Sequence, residues 1–414
     1  MSAAKKIDQE LPFQPRGVLS IQQFDDSVAI SRNRVFSQAS EIRKLAQMSE
    51  ATTNSTRRLN PDVVDLIKRS EIPRILVPKS RGGLELGVGF LSAVVQEIGQ
   101  GCCSTAWNVG LYANNPWIAC HFSDRAQDDF FSSTANPLCS LMFAAKGQLT
   151  PTNGGYRLTG RWPFVSGSVN ADWVLLGAML QGSPTPKAVC ALVRMKDVKI
   201  EDTWHVSGLQ GTGSNDLILK DVFVDEHRVV DSYGLVNHTW EGKPKGPSIL
   251  NLPFYATAIA IHCPPAVGAA FAAIELFKIN MANKKVPHAN TPMLESAVVQ
   301  SRLAEAWANA QAARLLLQEV TSALDKCQAY PDLSPELERA SWRLQLCTAA
   351  DAAKKCVDSL FTANGGSALF LSNRMQQIHR DVIAIANHAN HSLDVSRENF
   401  GRLLLGFPPS YPMM

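Results

Sequence analysis

No block of like charge runs through this sequence. Its 40 Lys and Arg and 37 Asp and Glu are interspersed, for a formal net charge of +3. That argues against nucleic acid or an anionic membrane as a partner. No apolar run is expected to reach the roughly 18–20 residues of a membrane span. The opening MSAAKKIDQELPFQ is charged where a secretory signal is apolar. None of the nine cysteines pairs as CxxC, and the adjacent Cys102 and Cys103 lack metal-ligand spacing. Reduced core thiols in a cytoplasmic protein are therefore expected. His121, His262 and His288 make no metal-ligand spacing either. A GxSxG elbow and a P-loop are missing, and GGLELGVGF has glycines without the GxGxxG fingerprint. Neither a metal nor a bound nicotinamide is expected.

What is present is a chain of 414 residues, 45% of them hydrophobic, long enough for two or three domains. Its texture divides at about 1–136, 137–247 and 248–414. The first part reads as helical from about Ile21 to Phe131. PDVVDLIKRSEI puts Pro61 at a first helical position behind Asn60 as cap. LGVGFLSAVVQEIGQ spaces Phe90, Val94, Val95 and Ile98 along one helical face. In the second part GGYRLTGRWPFVSG, DWVLLGAML, AVCALVRM and DLILKDVFV read as strands, with turn clusters between them. An antiparallel barrel or sandwich is expected. The third part is helical again. Leu303, Trp307, Ala310, Leu317, Val320 and Leu324 form a stripe on one long helix. A second begins at Ser334 and Pro335 and ends at Gly365 and Gly366. Two more follow, which suggests a bundle.

In residues 154–178, GGYRLTGRWPFVSGSVNADWVLLGA, alternation puts Tyr156, Leu158, Trp162, Phe164 and Ser166 on one strand face. Arg157, Thr159 and Arg161 fall on the other. A bulky apolar face that ends in Ser-Gly-Ser suits a flat apolar ligand with one polar edge.

This stretch resembles the flavin-contacting β segment of the acyl-CoA dehydrogenase fold. GLQGTGSNDLILKDVFVDEHRV resembles the segment that closes its β domain, with Gln210 in the usual Arg position. IHRDVIAIANHANHSLDVSRENFGRLLLG resembles its C-terminal Arg-Asp helix pair. The similarity runs from about residue 20 to nearly the end. It implies an α+β, acyl-CoA dehydrogenase-like fold: an N-terminal helical domain, a middle antiparallel β domain and a C-terminal four-helix bundle. GRWPFVSG, and a His seven residues after the Asp of Arg380–Asp381, namely His388, are similar to a narrower group. These are the oxygenase components of two-component flavin-dependent monooxygenases, which include hydroxyphenylacetate, hydroxylated-steroid, dibenzothiophene and indole oxygenases. A dehydrogenase needs a Glu to take the substrate's α-proton. Ala389 stands at one position for it, and NLPFYATAIAIHC supplies none at the other. SLMFAAKGQLTPTN stands where the dehydrogenases carry a Thr-Glu and Gly-Ser-Asp loop.

The resemblance implies reduced FMN or FAD as cofactor, molecular oxygen as co-substrate, a separate NAD(P)H-dependent flavin reductase and a homotetramer. Oxygen adds at the flavin C4a atom as a hydroperoxide and passes to a neutral aromatic or heteroaromatic substrate, indole-like or phenolic. Phe164 walls the flavin and Ser166 holds its N5–H. His388 is the catalytic imidazole, accepting a substrate proton or donating to the peroxide, and His391 is able to take its place. Arg302, Ser367 and Asn373 are further flavin contacts, the last two reaching a neighbouring subunit. Trp107, Asn115, Phe254, Tyr255 and His388 line the substrate pocket, whose apolar walls disfavour a carboxylate. Arg380 and Asp381 form an ion pair that fixes helix geometry. The alternatives are an acyl-CoA dehydrogenase-type flavin oxidoreductase with a displaced base, and a frame retained only for binding.

Overall fold

The computed structural model describes residues 26–411 except 283 and 287–289. His288 and the first residues of the expected N-terminal helix lie outside the described residues. The first part contains α1 (Asp26–Met48), α2 (Glu50–Thr56), α3 (Pro61–Arg69), α4 (Val88–Gly99), α5 (Cys103–Ala119) and α6 (Asp124–Phe131). Pro61 does open α3, and the Asn60 side chain accepts the Asp62 N–H at 2.8 Å. α5 is buried along its whole length.

The sheet comprises β1 (Cys139–Thr152), β2 (Gly155–Val165), β3 (Trp173–Leu180), β4 (Lys187–Arg194), β5 (Lys199–Glu201), β6 (Asn215–Asp225) and β7 (Val229–Asp231). Their order is β5-β6-β2-β1-β3-β4-β7. All four strands read from the sequence are present. The sheet is mixed rather than antiparallel throughout, because β1 and β3 run parallel. β1, the longest strand, fills the stretch that gave no strand signal. Its Ala-Ala-Lys-Gly interrupts alternation, and its register against β3 shifts between Met142 and Gly147. One sheet face packs on the helices through Cys139, Trp173 and Leu192, and the other closes a second core around Leu158, Trp162 and Leu176. Burial on both faces explains why WVLLGAML is apolar without alternation.

The third part holds α7 (Ser232–Val236), α8 (Phe254–Ala260), α9 (Pro264–Ala282), α10 (Ala297–Cys327), α11 (Glu336–Ala363), α12 (Arg374–Ala386) and α13 (Leu393–Leu404). α9 to α12 pack together, and α13 lies against α11. On α10, Ala310, Leu317, Val320 and Leu324 are buried as the stripe requires, but Trp307 is 42% exposed. Of the glycine pair that follows α11, Gly365 is left-handed, with φ 67°, and Gly366 is not. The segment Phe254–Ala282 is long and apolar enough to cross a membrane, a length the sequence reading had not picked out, yet 83% of its most apolar window is buried inside the protein. It is a core helix pair. Helices of the first and third parts share one continuous core, with Val95 and Trp107 alongside Phe277 and Leu317. Asp325 of α10 caps α4 from across that core, accepting the Val88 N–H at 2.6 Å and the Gly89 N–H at 3.0 Å. All nine cysteines are buried and unpaired.

Candidate active site

The alternation expected of β2 breaks at its end. Trp162 and Val165 are fully buried, whereas Phe164 between them is 65% exposed and has φ 60°. The β2–β6 register shifts between Trp162 and Val165. This bulge turns Phe164 off the Trp162 face, which corrects the one-face reading. A bulky residue in left-handed backbone costs about 1–3 kcal/mol. Here that strain presents an aromatic ring to solvent beside Trp204, which meets it edge-on at 6.1 Å.

Two residues on, half-buried Ser166 joins a row of hydroxyls. Its Oγ lies 2.7 Å from Ser214 Oγ, which lies 2.7 Å from Thr212 Oγ1. Trp107 of α5 donates its indole N–H to Ser166 Oγ at 3.2 Å. The following turn needs glycine: Gly167 has φ 75°, and a Cβ there would stand 2.7 Å from the Tyr112 hydroxyl oxygen. That hydroxyl donates to the Gly167 carbonyl at 2.7 Å.

The loop that brings Thr212 and Ser214 is tied to α12. Leu209, left-handed at φ 54°, donates its N–H to Asp381 Oδ1 at 2.6 Å. Gly208 passes so close that a Cβ would stand 2.1 Å from the Arg380 carbonyl. Gln377 Nε2 also donates to Asp381, at 2.8 Å, while Arg380 donates to Gln377 Oε1 at 2.5 Å. Asp381 therefore serves the loop, and the expected Arg380–Asp381 ion pair is replaced by these bonds. Burial raises the Asp381 carboxyl to about 7.

Three imidazoles meet beside Trp107. His262, from the turn between α8 and α9, stacks on His388 at 5.0 Å and 20°. Trp107 lies 4.7 Å from His262 and 5.2 Å from His388, between ring centroids. Burial first, and then the neighbouring His391, lower His388 to about 4. Burial likewise takes His391 to about 4 and His262 well below its ordinary value. All three are uncharged at neutral pH. His388 Nδ1 accepts the Asn390 N–H at 3.2 Å, which leaves the neutral ring's proton on Nε2. His388 Nε2–H is thus a hydrogen-bond donor. His391 has the opposite tautomer. Its Nδ1 donates to the Ile385 carbonyl at 2.8 Å, and Nε2 is a buried acceptor with no partner.

The remaining expected residues lie around this cluster or apart from it. Asn115 is buried inside α5 and donates to the Cys139 carbonyl at 2.7 Å. Phe254 is buried against Phe143 at 4.7 Å and Trp117 at 6.2 Å, and Tyr255 meets Phe143 at 5.9 Å. Ser367 and Asn373 border a separate cavity of about 400 Å³ with Asn280 and Phe370. It sits at the start of α12, whereas His388 follows that helix's end, about 20 Å away at 1.5 Å per residue. Arg302 is half-buried in the first turns of α10. Sequence alone weighs His262 only as a metal ligand and gives Thr212, Ser214 and Arg343 no role in the site. His262 did carry a signal, as the single basic residue in the apolar run from Leu252 to Ile274. Arg343 of α11 acts electrostatically on both Tyr255 and His391, a proximity no spacing rule could supply.

Comparison with known proteins settles the family. Residues 260–393 match the acyl-CoA dehydrogenase C-terminal domain. A pigment production hydroxylase of Rhodococcus sp. is 32% identical over 89% of this chain and 95% of its own. The oxygenase component of an FADH2-dependent resorcinol hydroxylase of Rhizobium sp. is 30% identical over 91% of this chain and 95% of its own. The chain belongs to the oxygenase components of two-component flavin-dependent hydroxylases. XiaF from Streptomyces sp., solved with FADH2 and glycerol, shares 28% identity and superposes with a TM-score of 0.87 over 94% of this chain and 99% of its own. The oxygenase component works on the acyl-CoA dehydrogenase fold with reduced flavin as cofactor and molecular oxygen as co-substrate. Among the described residues, no carboxylate forms a hydrogen bond or ion pair with the side chains of Trp107, His262 or His388, which meet Ser166, Asn390 and one another.

Proposed function

We propose that this oxygenase component takes reduced FMN or FAD from a separate NAD(P)H-dependent reductase, and hydroxylates a neutral aromatic or heteroaromatic substrate. The observation that carries the reading is the convergence of Trp107, Ser166, His262 and His388 from three parts of the chain. The site suits a flavin: an exposed aromatic ring, Phe164, stands next to a half-buried hydroxyl, Ser166, at the edge of an uncharged aromatic pocket. Phe164 covers one face of the ring system and Ser166 accepts a hydrogen bond at its N5 edge. Reduced flavin, when bound, would supply oxygen activation at C4a, the chemistry that the family resemblance implies. The protein's part is dryness and polar groups. Uncharged imidazoles and Trp107 exclude water from the reacting centre. His388 Nε2–H donates to a polar atom of the substrate or of the bound oxygen, and His391 Nε2 is an acceptor in reserve. Phe254 and Tyr255 wall the aromatic ring.

A homotetramer in the cytoplasm is part of the same reading. The subunit contact it requires is supported by Leu369, Phe370 and Leu371, each about 70% exposed or more beside the Ser367–Asn373 cavity. Turnover with an added flavin reductase tests the reading. Product should form from phenols or indoles only when the reductase is present. Product formation with NAD(P)H and no reductase contradicts the two-component scheme.

A further inference from the structure

Three hydroxyls and one carbonyl leave Ser166 a single role. The Leu209 carbonyl can only accept, so the Thr212 hydroxyl donates to it, at 2.8 Å. Thr212 then has no second proton, and the proton in its 2.7 Å contact with Ser214 belongs to Ser214. By the same count Ser166 donates to Ser214 across 2.7 Å. The Trp107 indole N–H, a donor only, fills one lone pair of Ser166 at 3.2 Å. Ser166 is left with one lone pair and no proton to give. Thr212 is 1% exposed and Ser214 is 3% exposed, which shields the inner links from water. The anchoring carbonyl is itself fixed, because it also receives the Thr212 N–H at 3.1 Å and the Trp204 indole N–H at 2.9 Å.

We propose that the Leu209–Thr212–Ser214 relay makes Ser166 an obligate hydrogen-bond acceptor, and so makes the site select reduced over oxidised flavin. The inference rests on the reading that the flavin N5 edge meets Ser166. In reduced flavin N5 carries a hydrogen; in oxidised flavin it is an acceptor. Two acceptors facing each other in a closed site leave both without a partner, which is penalised more heavily than a missing bond in water. Thr212 and Ser214 act as positioning residues, through Ser166. For an oxygenase that shares a flavin pool with a separate reductase, such a relay favours capture of the reduced form and release of the oxidised form after turnover.

The test is a set of dissociation constants for reduced flavin, measured anaerobically, and for oxidised flavin, using FMN and FAD with the full-length protein. In Thr212→Val, Ser214 is free to donate to Ser166, and Ser166 can turn its proton outward. Oxidised flavin should bind tighter, and the preference for the reduced form should fall about tenfold, equivalent to about 30 mV in the bound two-electron couple. Ser214→Ala frees the Ser166 proton directly and should shift the preference the same way, so one folded variant suffices. Thr212→Ser keeps the donor and should keep the wild-type preference. An unchanged preference in a folded Thr212→Val or Ser214→Ala protein overturns the relay. Unchanged binding of both redox forms in Ser166→Ala overturns instead the placement of the flavin beside Ser166, so the two failures are distinct.

Discussion

Removing the His388 imidazole should impair oxygen transfer and leave flavin binding alone. The ring is held between His262 at 5.0 Å and Trp107 at 5.2 Å, with Nδ1 spent on the Asn390 N–H. Nε2–H is its one free function, a neutral donor among the uncharged rings of Trp107 and His262. Losing such a bond from a buried ligand costs about 1–3 kcal/mol, or about 5–150-fold in kcat/KM for product. A role in proton transfer would cost about 10²–10⁴-fold. His388→Ala should therefore fall in the lower range, and His388→Gln, which keeps an N–H donor, should recover part of the loss. Reduced flavin consumed without transfer should appear as hydrogen peroxide, so product and peroxide are measured together in single turnovers. His388 also caps the turn that follows α12, worth about 1 kcal/mol, so a small drop in Tm is expected. The pH profile is the sharper check. With the ring's pKa lowered to about 4 by burial, it stays neutral from about pH 5 upward, and product formation should show no His388 step between pH 6 and 8. A step near the ordinary histidine value of about 6.5, present in wild type and absent in His388→Ala, would refute the assignment. So would wild-type coupling in the alanine variant.

Substitutions at two other residues probe the scaffold of the site. The Asp381 carboxyl, raised from 3.8 to about 7, holds a proton in the folded state that the unfolded chain has released, so its contribution to stability is present at acid pH and lost as pH rises through about 7. Asp381→Asn should flatten that part of the stability profile in denaturant unfolding between pH 4 and 7, and an undiminished slope would count against it. Asp381→Ala should cost about 1–3 kcal/mol, because it strands the buried Leu209 N–H, and should weaken flavin binding through the displaced loop. Phe164→Gly should leave stability unchanged or improved, since it relieves a left-handed side chain that is 65% exposed, yet weaken reduced-flavin binding about tenfold, the loss of one stacked ring. Lower stability with unchanged flavin affinity would contradict the reading of that strained turn.

Much of this was legible along the chain, where the determinants are local. Asn60 and Pro61 specify a helix start that needs no tertiary partner, and the apolar spacing of α4 and α10 survives because one face of each meets the core. β1 was not legible. Its pairing with β3 is long-range and parallel, and a register shift erases the alternation that a strand otherwise writes into its sequence. Phe164 was assigned to the wrong face for the same reason, since a bulge cannot be counted from period two. Within the site, Ser166, Trp107 and His388 follow from the family resemblance, and the fold brings them together. Thr212 and Ser214 sat within a quoted motif, but their meaning depends on hydroxyl contacts across 48 residues of chain between Ser166 and Ser214. The Asp381 partner was misread because neighbours in sequence were taken for neighbours in charge, while its actual ligand, the Leu209 N–H, lies 172 residues away.

A single turnover under ¹⁸O₂ tests the central claim most directly. The protein is loaded anaerobically with reduced FMN or FAD, without NAD(P)H or reductase, then mixed with ¹⁸O₂ and a panel of phenols and indoles, and the product is analysed by mass spectrometry. The account predicts a hydroxylated product carrying one ¹⁸O atom, with yield lost in His388→Ala and diverted to peroxide. A product whose new oxygen comes from water, or no product while an acyl-CoA thioester bleaches the oxidised flavin, would contradict it.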